Sequence, residues 1–457
     1  MVPYSYVLYQ ALNNFYGQLR GYRRGSIRRA VRALAETTPA AVLVERDRLF
    51  QARVRDALER FPAYARKVHE NVGAIPAEGE TVQPADLPIW TRDDQNRLFA
   101  SLSGPPVHGA FAHATGGSTG EPTRFYMTRE SYEWRTAASD FGYALAGAEE
   151  GVRSFYVWGT PIHKPSLFQR LKTGLHHRLQ RRTYFDSFRF DDEQKRRCCL
   201  AIDRVKPYAL AGYTGNLVEL ARFVRDNPRA LQWKAATAVT AAEGLHHGQR
   251  ELLEEQLADE VYQSYGSREF MLIGMECSEH SGYHIIGTHL LVEVVDDRGR
   301  PLPPGETGRI LVSDLRNAAN PFIRYEIGDL GAMAPSDERC PCGLPFPLLA
   351  RVDGRSQEVI VMKNGQRMTA LFMPHLMKEF PWVDGYQVAQ TEPGAIEVRL
   401  VTREEPTAAQ TQPITIALQG KLGGDMRICC LRVTALEKSI SGKTPIVTQT
   451  SNTEHRS

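Results

Sequence analysis

The sequence Thr115-Gly116-Gly117-Ser118-Thr119-Gly120-Glu121-Pro122-Thr123 is the stretch on which the interpretation of the fold depends. Its glycines allow the backbone to approach a phosphate closely, and its hydroxyls and amides supply uncharged hydrogen-bond donors. It is not a Walker loop, because Glu121 stands where that motif has its lysine. A Gly/Ser loop can also be only a turn, so this segment indicates phosphate binding only if other motifs support it.

Four more short motifs follow this loop, and three further signatures precede individual motifs. The motifs are Tyr265-Gly266-Ser267-Arg268-Glu269, Arg324-Tyr325-Glu326-Ile327-Gly328-Asp329, Gly354-Arg355 and Gly442-Lys443. The further signatures are Leu87-Pro88-Ile89-Trp90-Thr91, Glu243-Gly244 and Pro304-Gly305-Glu306-Thr307-Gly308. Each motif is weak by itself, because Gly-Asp and Gly-Lys pairs are common in turns. Five motifs in this order over about 330 residues are hard to explain by chance.

Together these motifs resemble the adenylate-forming superfamily of acyl-CoA ligases, and within it the phenylacetate–CoA ligase-like group that includes CapK-type proteins. The resemblance extends over nearly the whole chain. It implies a large N-terminal α/β domain with a mixed sheet, residues 1–353, which binds ATP and the acid. It also implies a small, mobile α+β domain, residues 354–457, which carries the adenylation lysine.

The hydrophobic pattern favours the same division. Helical and strand-like segments alternate from 129 to about 330, which is typical of an α/β domain. From 284 to 334 the apolar period changes to two, which predicts an antiparallel, barrel-like piece or a distorted sheet. After Asp353-Gly354-Arg355, about 100 residues have a strand–helix–strand pattern of their own.

Individual elements follow from the same periodicities. In the larger domain we predict two or three helices between 26 and 70, helices at 129–147, 191–204, 216–226 and 247–258, and buried strands at 153–158, 236–240 and 261–265. In the smaller domain we predict strands at 359–363, 385–390, 396–401 and 429–435 and helices at 370–379 and 413–422.

The resemblance implies a nucleotide-binding set. Its members are Thr115, Gly116, Gly117, Ser118, Thr119, Gly120, Glu243, Tyr265, Gly266, Ser267, Asp329 and Arg355. The loop 115–123 would hold the β- and γ-phosphates of ATP, Tyr265 would stack on adenine, and Asp329 would accept hydrogen bonds from the ribose hydroxyls. Many relatives have a lysine where this chain has Glu121, so a positive charge contact from this position is not expected, while backbone amides and hydroxyls would remain.

Three residues carry the chemistry that the resemblance implies: Lys443, Glu269 and Arg355. Lys443 would bridge the substrate carboxylate and the α-phosphate, where a positive charge stabilises the negative charge that develops during attack. Glu269 would bind Mg²⁺, which prefers oxygen ligands that it shares with phosphate. Arg355 would lie near the ribose and phosphate, beside a hinge at Gln357. Rotation at this hinge would exchange a lysine-in state for one that is open to the thiol.

Two thiol-rich pairs predict a metal site. They are Cys277-x-x-His280 and Cys340-x-Cys342, with His284 as a competing ligand for His280. Three sulfurs and one imidazole form a closed tetrahedral set that suits structural Zn²⁺. The alternative is a group of reduced, buried cysteines beside a solvated histidine.

Composition excludes several classes of protein. Lysine and arginine number 56 against 53 acidic residues, a net charge of +3, which gives no reason to expect a nucleic-acid partner. No apolar run approaches the ~20 residues that cross a bilayer. The segment 1–25 lacks the apolar core and cleavage site of a signal peptide. Seven cysteines, an odd and clustered set, favour a reducing cytoplasm over a disulfide framework. Oligomeric state is not indicated.

We therefore expect an acid–thiol ligase that uses ATP and Mg²⁺ to convert a small carboxylic acid into an acyl-adenylate, and passes the acyl group to coenzyme A. One alternative acceptor is an amine, a sugar amine or a carrier-protein thiol in polysaccharide or natural-product biosynthesis. A further alternative is a nucleotide-binding protein without turnover. Candidates for the acyl pocket are Tyr132, Trp134, Phe141, Tyr143, Trp158, Tyr213 and Glu243.

Overall fold

The chain forms two compact units. A computed structural model describes residues 23–73, 80–115, 122–158, 167–187, 190–245, 248–335, 339–355, 359–364, 367–370, 372–377, 379–437 and 444–449, with Val7 and Ala11. The first unit comprises Met1–Ala242 and Leu252–Val352. The second comprises Glu243–Glu251 and Asp353–Ser457.

The first unit is built on an eleven-stranded sheet and a separate hairpin. The hairpin strands are Phe111–Ala114 (β1) and Arg124–Met127 (β2). The sheet strands are Ser154–Trp158 (β3), Arg182–Asp186 (β4), Ala209–Tyr213 (β5), Ala235–Ala241 (β6), Ala258–Ser267 (β7), Met271–Met275 (β8), Tyr283–His284 (β9), Leu290–Val295 (β10), Gly308–Asp314 (β11), Tyr325–Met333 (β12) and Leu348–Arg355 (β13). Their order is β10-β11-β12-β13-β9-β8-β7-β6-β5-β3-β4.

The sheet is mixed, as the sequence predicts. Strands β3 to β7 pair with one another in parallel, whereas β8 pairs with both β7 and β9 in antiparallel fashion. The expectation of a barrel-like piece is wrong for the described residues. A barrel closes only when its first and last strands pair, and here β10 stands at the end of the strand order while β7 joins the antiparallel part to the parallel one.

Helices pack against this sheet and the hairpin. They are Arg24–Ala35 (α1), Pro39–Arg60 (α2), Pro62–Val72 (α3), Arg92–Ser101 (α4), Arg129–Leu145 (α5), Leu167–Leu179 (α6), Asp192–Val205 (α7), Thr214–Asp226 (α8) and Gln249–Gln256 (α9). One apolar cluster packs Phe50 and Tyr64 against strand residues that include Val312. Another packs Val31 and Trp134 against Met275 and its neighbours. The four helices predicted between 129 and 258 are confirmed to within two residues at each end.

The second unit has its own sheet and core. Its strands are Val359–Val361 (β14), Arg367–Thr369 (β15), Gly385–Glu392 (β16), Ala395–Val401 (β17), Arg427–Arg432 (β18) and Val447–Gln449 (β19), and its helices are Phe372–Met377 (α10) and Ala408–Leu422 (α11). The four-stranded sheet has the order β18-β17-β16-β19. Val388, Val398 and Leu418 are fully buried in its core. In the described part of the chain, no helix is both long and apolar enough to cross a membrane.

Candidate nucleotide site and metal centre

The base of the Gly/Ser loop is closed by its two end residues. The Thr115 amide donates to the Thr123 carbonyl at 3.0 Å, and the Thr123 amide donates to the Thr115 hydroxyl oxygen at 3.0 Å. Both threonines are buried. The predicted phosphate ligands Gly116, Gly117, Ser118, Thr119 and Gly120 lie outside the described residues, as does Glu121. The structure therefore fixes where the loop enters and leaves.

A tight turn after β7 presents the second motif. The pairing of β7 with β8 shifts register between Tyr265 and Gly266. A Cβ added at Gly266 would lie 2.2 Å from the Met271 carbonyl oxygen, so only glycine fits there. The Ser267 hydroxyl accepts a hydrogen bond from the Phe270 amide at 3.3 Å. Ser267 thus stabilises the turn that carries Glu269.

Tyr265 and Asp329 are brought together from distant motifs. The Tyr265 hydroxyl donates to Asp329 Oδ2 at 2.9 Å. Asp329 lies on β12 directly after Gly328, whose φ of 85° is left-handed and favours glycine. The Tyr265 ring is 8% exposed and belongs to the main apolar cluster. The two residues expected to contact adenine and ribose therefore form one hydrogen-bonded pair.

A buried ion pair also stabilises the turn that carries Glu269. Arg135 Nη1 donates to the Glu269 carbonyl, and Arg135 Nη2 pairs with Asp314 at 2.5 Å. Both charged side chains are buried, and the Ser131 hydroxyl donates to the same carboxylate at 3.3 Å. Sequence reasoning missed Arg135 and Asp314, because they belong to no motif and lie 179 residues apart.

Glu269 itself is 8% exposed and lies near Tyr325. Burial, with the nearby Glu269 carboxylate as a second cause, raises the pKa of Tyr325 to about 12. Glu269 thus places carboxylate oxygens near Tyr325, and such oxygens are the ligands that Mg²⁺ prefers.

Glu243 belongs to the second unit. Its carboxylate Oε1 accepts a hydrogen bond from the Thr444 amide at 2.7 Å. Lys443, the residue before Thr444, lies outside the described residues, as do Gln357 and the side chain of Arg355. The roles of Lys443 and Arg355 accordingly stay predictions.

Three cysteines and one histidine converge at the edge of β9. The possible ligand atoms of Cys277, His284, Cys340 and Cys342 all lie within 4.8 Å of one another. The sulfurs of Cys277 and Cys340 are 3.5 Å apart, and the Cys342 sulfur is 3.3 Å from His284 Nε2. Burial lowers the pKa of His284, which favours the neutral ring that binds metals. The donor set fits a tetrahedral zinc site.

His280 lies outside this cluster, and the competing ligand His284 is the histidine that lies beside the three cysteines. The His280 amide donates to the Cys277 carbonyl at 3.1 Å, and this turn directs the imidazole toward Glu276. His280 Nδ1 is 3.2 Å from Glu276 Oε2. His284 takes its place, because β9 pairs with both β8 and β13 and so lies beside the loop that carries the other two cysteines.

Three of the proposed acyl-pocket residues lie in two different settings. Trp158 and Tyr213 end the neighbouring parallel strands β3 and β5, and their ring centroids are 4.4 Å apart. The carboxyl ends of parallel strands are where α/β sheets bind ligands. Trp134, in contrast, is buried under the guanidinium of Arg316, 4.2 Å from its ring centroid, and is committed to the core.

Comparison with known proteins gives a consistent result. No family model matches the chain. A phenylacetate–coenzyme A ligase of Thermus thermophilus is 27% identical over 316 residues, which are 67% of this chain and 68% of that protein. Protein CapK of Staphylococcus aureus is 23% identical over 247 residues, 53% of this chain and 52% of its own length. The structure of a 2-hydroxyisobutyryl-CoA ligase with 2-HIB-AMP in the postadenylation state has a TM-score of 0.67 and 21% identity, and the match covers 89% of this chain and 90% of that one.

Proposed function

We propose that this chain belongs to the adenylate-forming superfamily, with phenylacetate–coenzyme A ligases and CapK as relatives. In this proposal it activates a carboxylic acid with ATP and transfers the acyl group to coenzyme A. The sequence relatives named as coenzyme A ligases support this proposal over about two thirds of both chains. The observation that carries it is the contact of Tyr265, in the motif that also holds Glu269, with Asp329, which unites two separate motifs in one unit.

The proposed reaction has two displacements. A carboxylate oxygen of the acid attacks the α-phosphorus of ATP, which forms acyl-AMP and releases pyrophosphate. The thiol of coenzyme A then attacks the acyl carbonyl, which forms the thioester and releases AMP and the thiol proton. Each step replaces one bond by another and needs no oxidant or reductant.

We assign the residues as follows. Tyr265 stacks on adenine, Asp329 accepts hydrogen bonds from the ribose, and the loop 115–123 binds the β- and γ-phosphates. Mg²⁺ bound at Glu269 would neutralise phosphate charge. Lys443 stabilises the charge that develops at the α-phosphate during attack.

Coenzyme A is the acceptor that the relatives favour, because those with a stated activity are named as coenzyme A ligases. An amine, a sugar amine or a carrier-protein thiol would be recognised by AMP release that this acceptor stimulates and coenzyme A does not. For the acid, we assign the apolar part of the acyl group to the paired rings of Trp158 and Tyr213.

Acid-dependent ATP–pyrophosphate exchange tests the first displacement. Wild-type protein and a Lys443→Ala variant are assayed with a panel of aryl and aliphatic acids. Exchange with one class of acid, lost in the variant, is the expected result. Tight ATP binding with no exchange for any acid would contradict the proposal and indicate a binding protein.

We also propose that Cys277, His284, Cys340 and Cys342 bind one structural Zn²⁺. The close approach of four soft or borderline donors supports this assignment, because structural zinc sites are closed and tetrahedral. Thiols that bind a metal must be reduced, which suits a reducing compartment such as the cytoplasm.

A further inference from the structure

One side chain outside all the motifs contacts the exit of the Gly/Ser loop. Asn96 lies on α4, and its Nδ2 donates to the Pro122 carbonyl at 3.3 Å. Its Oδ1 accepts from the Arg124 amide at 3.0 Å. Both polar ends of this amide are therefore used by the two residues that flank Thr123.

Thr123 is itself bonded to the other end of the loop. Its amide and carbonyl both pair with Thr115, at 3.0 Å each. The two ends of the loop, Thr115 and Thr123, are therefore hydrogen-bonded to each other. Asn96 adds hydrogen bonds from helix α4 to the residues on either side of Thr123. A flexible loop binds more weakly than a pre-ordered one, because binding must order it.

The strand that follows the loop is fixed by further side-chain amides. Asn320 Oδ1 accepts from the Tyr126 amide at 3.2 Å and from Gln95 Nε2 at 3.1 Å. Gln95 Nε2 also donates to the Arg124 carbonyl at 3.2 Å. Because Gln95 and Asn320 are buried, this contact ties β2 to the first unit's core.

The N-terminus of helix α4, which carries Asn96, is capped. Thr91 and Asp94 form a reciprocal capping box, in which the Asp94 amide donates to the Thr91 hydroxyl at 3.2 Å and the Thr91 amide donates to the Asp94 carboxylate at 2.9 Å. Lys67 of α3 pairs with the same carboxylate. The backbone of Trp90 further pairs with that of Arg324, which begins the ribose motif.

We propose that Asn96 is a positioning residue that fixes Pro122 and Arg124, at the exit of the Gly/Ser loop to which we assign the β- and γ-phosphates of ATP. This inference rests on the proposed function, because that function makes the loop a phosphate site. It predicts that loss of the Asn96 amide weakens binding of ATP and spares binding of AMP, since AMP lacks both terminal phosphates.

The test compares nucleotide affinities in Asn96→Ala and in a matched control. Asn71→Ala is the control, because Asn71 is an exposed asparagine on α3 that donates to a carbonyl of its own helix at 2.8 Å. Dissociation constants for ATP and AMP are measured by titration calorimetry, with thermal unfolding recorded for each variant. We expect a rise of about tenfold for ATP in Asn96→Ala, a change of less than about twofold for AMP, and no change in the control.

Equal weakening of ATP and AMP, or unchanged ATP affinity, would overturn the inference. If Asn96→Ala does not fold, Asn96→Ser replaces it, because the short hydroxyl cannot span both partners. Suppose that wild-type protein shows acid-dependent exchange and that Asn96→Ala has the wild-type ratio of ATP affinity to AMP affinity. This result would refute the role of Asn96 and leave the proposed function intact. Wild-type protein that binds neither nucleotide would refute the proposed function together with this inference.

Discussion

The Tyr265 hydroxyl and the Asp329 carboxylate are joined by a hydrogen bond of 2.9 Å between two strands that are not neighbours. In the strand order β12-β13-β9-β8-β7, three other strands separate them. The bond therefore fixes the relative position of the aromatic face and the carboxylate to which we assign adenine and ribose.

Tyr265→Phe should keep the ring and lose this bond. We expect the KM for ATP to rise about three- to tenfold, which corresponds to about 0.7–1.4 kcal/mol, the net contribution of a typical hydrogen bond. The value of kcat should change by less than about twofold. Tyr208→Phe is the control, since Tyr208 is 50% exposed. An unchanged KM for ATP would show that the hydrogen bond from Tyr265 to Asp329 does not contribute to ATP binding.

Glu269→Gln should impair the magnesium-dependent step. Loss of the carboxylate charge removes an oxygen ligand that Mg²⁺ prefers, so exchange should fall by about a hundredfold or more. The Mg²⁺ concentration for half-maximal activity should also rise. Glu279→Gln makes the same change at an exposed carboxylate and should behave as wild type. A Glu269→Gln variant with a normal Mg²⁺ requirement would exclude Glu269 as a ligand.

Arg135→Met and Asp314→Asn test the buried pair behind the Glu269 turn. Each single change leaves the other group charged and unpaired, so the free energy of unfolding should fall by about 3–5 kcal/mol. The double variant should lose clearly less than the sum of both, which denaturant unfolding would measure. Additive losses would mean that the two side chains do not stabilise one another.

The proposed zinc site can be tested by measuring the metal content of the purified protein. Purified protein should contain about one Zn²⁺ per chain, and a cobalt-substituted form should show thiolate charge-transfer absorption. His284→Ala should lose most of the metal and unfold at a lower temperature, whereas His280→Ala should retain it. The reverse pattern would restore His280 as the ligand.

Much of the fold could be predicted because its signals are local. The helices at 129–147 and 191–204 have clear apolar periods and end close to the predicted limits. Strand β5 was missed, because Ala209-Leu210-Ala211-Gly212-Tyr213 is rich in small residues with low strand propensity. The barrel prediction was wrong because a period of two predicts half-buried strands and carries no information on whether a sheet closes.

The candidate site was predictable only as far as its motifs. Tyr265, Glu269 and Asp329 were found because their motifs are short and ordered, and the structure brings these motifs together. Asn96 and Arg135 were missed because each contacts its partner through tertiary structure, 28 and 134 residues away in sequence. The choice between His280 and His284 likewise depends on the pairing of β9, which the spacing of cysteines does not encode.

The Cys–His cluster has a consequence for how the enzyme matures. Cys277 and Cys342 are 65 residues apart, and the segment between them includes β10, β11 and β12, with Asp329 on the last of these. A metal bound there would cross-link the ends of that segment, and closing a loop of this size lowers the entropy of the unfolded chain by the equivalent of about 4 kcal/mol. Unlike a disulfide, such a cross-link forms in reducing surroundings and depends on metal supply. The fraction of chains with an ordered ribose-binding strand would therefore follow the availability of zinc before any substrate is bound.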